Sequence, residues 1–336
     1  MRQWLTGILF LLCCATPFST LANRIINTPA PASGRASKQA VLPADVLARV
    51  KLLQSELNLI REAMGKPIDH EMFLKVGDAS PREVYYQAQA LYQKANNLAY
   101  EVAGNFSPMP KTDTTELRPI HVWRLVNESL KRVLLVKQTL GIQQTVKEKL
   151  QPKNTTPTEV YNAILQTNQT LNHLLYKRTA PSDVYEQITL AINYTEQLLR
   201  SFDVDNSIPS TPTYIPNKSP ADVHQRLTQC VELLGSIAKL SGVQMLNVQI
   251  NQNAVHHIAP NDVYDLSKII VAEVSYFHAH LPKKSQAPEV YYPGYKLPSD
   301  VYQRAGILLK QLQLLEKEVQ QQPNWLRKNS NHVTGA

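Results

Sequence analysis

Eight prolines in this chain open variants of one five-residue motif, Pro-x-Asp/Glu-Val-Tyr, and no other feature constrains the fold as strongly. The copies begin at Pro43, Pro81, Pro119, Pro157, Pro181, Pro220, Pro260 and Pro298, spaced by 38, 38, 38, 24, 39, 40 and 38 residues. Proline suits the first position of a helix, where its missing N–H is no loss and its fixed φ is already helical. Ser80, Thr156 and Ser219 precede their prolines as N-caps, and the acid two residues after the proline completes a capping box. Where Ala or Leu precedes the proline, the acid still complements the positive end of the helix dipole. His121 replaces the acid in the third copy, so that cap is expected to be the weakest.

The residues after each proline continue the helix. Apolar side chains recur 3, 7, 10, 14 and 17 positions on: Val46, Val50, Leu53, Leu57 and Ile60 in the first copy, Val301, Ala305, Leu308, Leu312 and Leu315 in the last. Alternating steps of four and three make the seam of a helix bundle. Gly65, Gly104, Gly141 and Gly242 fall where C-terminal caps belong. The expected fold is all-α, with eight long helices in a repeat of about 38 residues. A helix of about 22 residues is roughly 33 Å long. Lys177 to Ala180 alone join the fourth helix to the fifth, which predicts a tight antiparallel hairpin. That join divides the chain into two four-helix halves, 43–178 and 181–322, as tandem bundles or one helical array. Elsewhere about 15 residues intervene, more than a hairpin needs. These linkers carry apolar residues such as Leu74, Val76, Leu246 and Val248, and are predicted to fold back as short helices or extended straps.

Residues 1–22 have the layout of a secretory signal peptide: Arg2, an apolar stretch from Trp4 to Thr16, and Thr20-Leu21-Ala22 for cleavage after Ala22. The expected location is periplasmic or secreted. The apolar stretch falls short of the about 20 residues a membrane span needs, and no later segment approaches that length. Segments 23–41 and 323–336 read as flexible. Cys13 and Cys14 leave with the leader, so Cys230 is the only cysteine of the mature chain and no disulfide framework is possible. Cys230 lies in an apolar seam and is expected to be a buried small hydrophobe. The net charge is +8, but the bases are scattered rather than gathered on one element, which argues for a solvated basic surface and against nucleic acid.

No phosphate loop, nucleophile elbow or metal-binding signature occurs, and no catalytic, metal or cofactor site is expected. His256, His257, His278 and His280 cluster weakly near the seventh helix without converging ligands. Six Asn-x-Ser/Thr sequons read as coincidence in an Asn- and Thr-rich chain. Thr167, Thr195 and Ser267 put hydroxyls in the seams, where they hint at a polar cavity. The most informative position is the aromatic four residues after the proline: Tyr85, Trp123, Tyr161, Tyr185, Tyr264 and Tyr302. These rings either pack over the incoming strap or line a groove for an elongated ligand, and Tyr291, Tyr292 and Tyr295 add to that surface. Since every strong signal is a folding signal, the expected role is a non-enzymatic scaffold or protein-binding module of the cell envelope with a protein partner. The alternative is a sensor for a small molecule or polysaccharide, using a cavity or an aromatic groove.

Overall fold

All eight motif prolines are the first residues of helices: α1 (Pro43–Ala63), α2 (Pro81–Ala103), α3 (Pro119–Thr139), α4 (Pro157–Leu174), α5 (Pro181–Arg200), α6 (Pro220–Ser241), α7 (Pro260–Ala279) and α8 (Pro298–Gln321). The computed structural model describes residues 40–67, 74–112, 116–176, 179–202, 209–250, 258–281, 289–323 and 325–326. The leader and the segment up to residue 39 lie outside the described residues. The only strands described are β1 (Leu74–Gly77) and β2 (Asn247–Ile250), so the fold is all-α. No helix among the described residues is long and apolar enough to cross a membrane.

One interaction recurs at every helix start. The side chain two residues after the proline accepts the backbone N–H of the residue before it, at 2.7 or 2.8 Å for all seven carboxylates. Leu42, Ala180, Ala259 and Leu297 are capped in this way although they have no capping side chain of their own. In α3 the Nδ1 of His121 takes the acid's place, accepting from Arg118 N at 3.0 Å. Burial, then Arg124 and Arg118, hold the His121 pKa below its ordinary value, which preserves the neutral, accepting imidazole. Gly104 and Gly242 close α2 and α6 in the left-handed conformation, at φ 64° and 66°.

The helices of each half run parallel. Pro43, Pro81, Pro119 and Pro157, with Val46, Val84, Val122 and Val160, converge around one small apolar recess, so α1–α4 all start at the same end. In the second half, Arg226 of α6 donates to Tyr302 O of α8 at 2.8 Å, and Arg304 of α8 donates to Thr189 Oγ1 of α5 at 3.1 Å. Thr179 N, just before α5, donates to Asn261 Oδ1 at the start of α7. These pairs match equivalent heights on neighbouring helices. Both halves also share one packing order. Helix α1 packs on α3 and α4, as does α2, while α5 and α6 each pack on α7 and α8. Consecutive helices α1 and α2 are therefore diagonal, and so are α5 and α6.

Parallel neighbours require the chain to travel back the length of each helix. Linkers of 15 to 19 residues do this everywhere except between α4 and α5. At about 3.3 Å per residue, 15 extended residues reach roughly 50 Å, enough to return along a 33 Å helix. Side-chain amides hold these straps in place. Asn162 of α4 accepts from Val76 N at 3.1 Å and donates to Val76 O at 2.8 Å, acting as a second strand edge for β1. Asn96 of α2 grips Ser107 in the same two-point manner at 2.9 and 3.1 Å.

The two halves, here called lobes, run antiparallel to each other. Lys94, late in α2, meets Asp265, early in α7, at 2.9 Å; Arg82, early in α2, donates to Ala272 O, late in α7, at 2.6 Å. The chain reverses direction between α4 and α5, but these two do not pack as the expected tight hairpin; α2 and α7 are the helices that pack across the junction. Helix α7 is buried on nearly every side, so one face fills its own lobe and another meets α2. A second bridge is the antiparallel ribbon in which Val76 of β1 pairs with Val248 of β2. Within the segment 323–336 read as flexible, the described residues Trp325 and Leu326 are buried, and Trp325 Nε1 donates to Ser241 Oγ at 2.9 Å.

Asn162→Ala leaves the Val76 backbone groups without these partners and is expected to cost about 1–3 kcal/mol of stability. Chemical denaturation of the wild type and the variant measures this.

Candidate functional site

The six aromatics singled out from the sequence stand at one height on parallel helices, so each lobe carries a belt of rings near its helix starts. Because the lobes are antiparallel, the two belts lie at opposite ends of the protein. Tyr85 and Tyr161 are buried in the first lobe's core. The other four are half-buried, and each has a cation over its face. The Arg49 guanidinium lies 5.4 Å from the Trp123 ring centre, Arg226 3.4 Å from Tyr302, Arg304 5.4 Å from Tyr185, and Lys268 Nζ 5.7 Å from Tyr264. The three arginines occupy one position, six residues after the proline, and each reaches the next helix around its lobe. Such contacts are worth about 0.5–2 kcal/mol each. The belts thus tie neighbouring helices together and do not form a continuous row.

The seam hydroxyls are also accounted for. Thr167 donates to Ala163 O at 2.7 Å, Thr195 to Ala191 O at 2.8 Å and Ser267 to Tyr264 O at 2.6 Å, each back to its own helix. Cys230 is fully buried, and burial raises the pKa of its thiol. His278 packs on Tyr194 and His280 on Tyr276, while His256 and His257 lie outside the described residues. Among the described residues no group of His, Cys, Asp or Glu is placed to hold a metal.

Two features emerge, the first missed by sequence reading and the second found only in part, through Tyr291, Tyr292 and Tyr295. The first is the polar interface between α2 and α7. Lys94 and Asp265 form a buried ion pair there, Tyr264 OH donates to Gln93 Oε1 at 3.2 Å, and Ser275 Oγ donates to Tyr86 OH at 3.1 Å. Glu273, with no exposed surface, lies 3.6 Å from Arg82. Burial pushes its carboxyl up to about 8, against the opposing pull of Arg82. Arg82 also contacts Glu83 and stacks 3.8 Å from the Tyr276 ring centre.

The second feature is a concentration of exposed rings at one end. Tyr100 and Phe106 stand where α2 finishes, and Tyr176 where α4 finishes, with Tyr176 N donating to Glu101 Oε2 at 2.8 Å. The second lobe starts at that same end, and there Tyr214 precedes α6 while Tyr291, Tyr292 and Tyr295 precede α8. These seven are all the exposed aromatic side chains among the described residues. The strap carrying the last three is pinned: buried Ser182 donates to Gly294 O at 2.7 Å and accepts from Lys296 N at 3.1 Å. Six of the seven are tyrosines, whose rings offer apolar contact and whose hydroxyls remain hydrated. The clue in the sequence was their position off the apolar seams; their placement toward one end depends on the lobes being antiparallel.

Because Lys94 and Asp265 are both buried, Lys94→Met strands a carboxylate and is expected to cost about 3–5 kcal/mol, whereas adding Asp265→Leu restores most of the loss. Thermal denaturation of the single and double variants checks both outcomes.

In comparisons with known proteins, no family model, no curated protein and no solved structure matches this chain.

Proposed function

We propose that this chain is an exported, non-enzymatic binding protein of the cell envelope that meets a protein partner through its tyrosine-rich end. The observation that carries this reading is the gathering of all seven exposed aromatic rings among the described residues at one end. Apolar surface exposed mostly at one end of a protein is a more informative signal than rings scattered over its whole surface. Two straps carry four of the rings: Pro209 to Asn217 holds Tyr214 among prolines, Ser210 and two threonines, and Glu289 to Leu297 holds Tyr291, Tyr292 and Tyr295. Tyrosine on pinned loops supplies large contact area at little cost in conformational entropy, as in antibody paratopes. The leader-like residues 1–22 support export. The ion pairs and perturbed acids have a structural use between the lobes, and this favours binding over catalysis.

The test is Tyr291→Ala/Tyr292→Ala/Tyr295→Ala, which removes exposed rings only and should leave the melting temperature unchanged. Cross-linking and mass spectrometry on envelope extracts should recover a specific protein with the wild type and at least tenfold less of it with the variant. Equal recovery with both proteins counts against the proposal. A glycan could stack on the same rings; a rise in melting temperature on adding purified envelope polysaccharide, lost in the variant, would favour that second reading.

A further inference from the structure

Four of the straps are fastened to the helices they cross. The strap before α2 is held on α4 by Asn162, and the strap before α4 is held on α1, where Glu148 lies 3.3 Å from Arg49. The strap before α6 lies on α8, where Gln303 donates to Pro212 O at 2.7 Å, and the strap before α8 is tied to α5 through Ser182. The outer faces of α2 and α7 meet each other. That leaves α3 and α6. Each keeps an open stripe along its length: Arg124, Lys131 and Gln138 on α3, and Gln225, Glu232 and Lys239 on α6, are all exposed.

The two open helices are the counterparts of the two that are paired. Both lobes share one packing order, so α3 corresponds to α7 and α6 to α2, residue for residue from the motif proline. Positions buried at the α2–α7 contact are open in the counterparts. Asp265 and Ala272 are buried, whereas Arg124 and Lys131 at the same positions of α3 are exposed; Ala90 is buried, whereas Gln229 of α6 is exposed. The charges are exchanged as well. Within the chain the bases, Arg82 and Lys94, stand on α2 and the acids, Asp265 and Glu273, on α7. At the acids' positions α3 has Arg124 and Arg132, and at the bases' positions α6 has Ala221 and Leu233, with Glu232 beside the latter. Helix α3 therefore repels the α2 of another copy, while α6 offers it an acid.

We propose that α3 of one copy of this chain docks antiparallel on α6 of the next copy, in the way that α7 docks on α2 within the chain. The pairing of Lys94 with Asp265 and of Gln93 with Tyr264 sets the register. Carried over to the open helices, it brings Arg124 of one copy beside Glu232 of the next, and Trp123 toward Leu233. The two surfaces differ, so a docked copy still has one of them to offer. Association is head to tail and does not stop at a two-fold dimer. Each contact reverses lobe direction, as the one inside the chain does, so successive copies point the same way. Their tyrosine-rich ends then lie along one side of the assembly, where a partner with repeated contacts gains by avidity.

Sedimentation velocity of the full chain tests this. The weight-average sedimentation coefficient of the wild type should rise with concentration beyond the value of a dimer. Arg124→Glu puts like charges together across the contact, and so does Glu232→Arg. Both side chains are exposed, so each variant should keep the wild-type melting temperature, and each should self-associate at least about tenfold more weakly. Mixing the two variants in equal amounts makes every contact between unlike copies complementary again, one with exchanged charges and one with the original charges, and should restore association. The proposal is overturned by a wild type that stays monomeric at every concentration, by growth that ends at a dimer, by undiminished association of either variant, or by a mixture that behaves as its separate components do.

Discussion

Four helix N-termini meet at one end of the first lobe, and four more start together in the second. Parallel helices concentrate the positive ends of their dipoles, which in isolation is unfavourable. The carboxylate two residues after each proline offsets this locally. It brings negative charge to the first turn and satisfies the N–H before the proline, at seven of eight helices. The eighth uses neutral His121, whose depressed pKa keeps a proton from adding to a positive end. The motif is therefore a set of instructions for starting a helix beside other helix starts.

Parallel packing in turn demands the straps, and the straps demand fastening. Extended backbone laid over helices has N–H and C=O groups that need partners. Asn96 and Asn162 supply them in pairs, and the ribbon supplies them between β1 and β2. Cations stacked on the offset rings add lateral ties at the height where the belts lie. Of the two roles open to these rings from the sequence, packing and a ligand groove, the contacts on the page support packing. The tyrosines left open at their side chains are those near the ends of α2 and α4 and on the straps before α6 and α8.

Between the lobes the physics changes. Helix α7 carries Asp265 and Glu273 eight residues apart, and α2 presents Lys94 and Arg82 to them in reverse order. Such a seam sets register and direction through charge placement, while the apolar seams inside each lobe supply cohesion. It is also where burial pushes an acid, Glu273, well above its ordinary range.

By itself the sequence determined the number of helices, where each begins, which side chains face the seam and where the chain turns from one lobe to the next. These are local matters: a proline's φ, a carboxylate within reach of a backbone N–H three residues back, and a repeat of four and three. Linkers near 15 residues already signalled connections longer than a hairpin needs, though not that the helices they join run parallel. Only the tertiary structure decided which helices are diagonal, that α2 and α7 carry a second face, and that Trp325 docks. The gathering of Tyr100, Tyr176, Tyr214 and Tyr291 at one end belongs to the same class. Each of these depends on the antiparallel arrangement of the lobes, which brings together residues far apart in the chain, and no local pattern encodes that proximity.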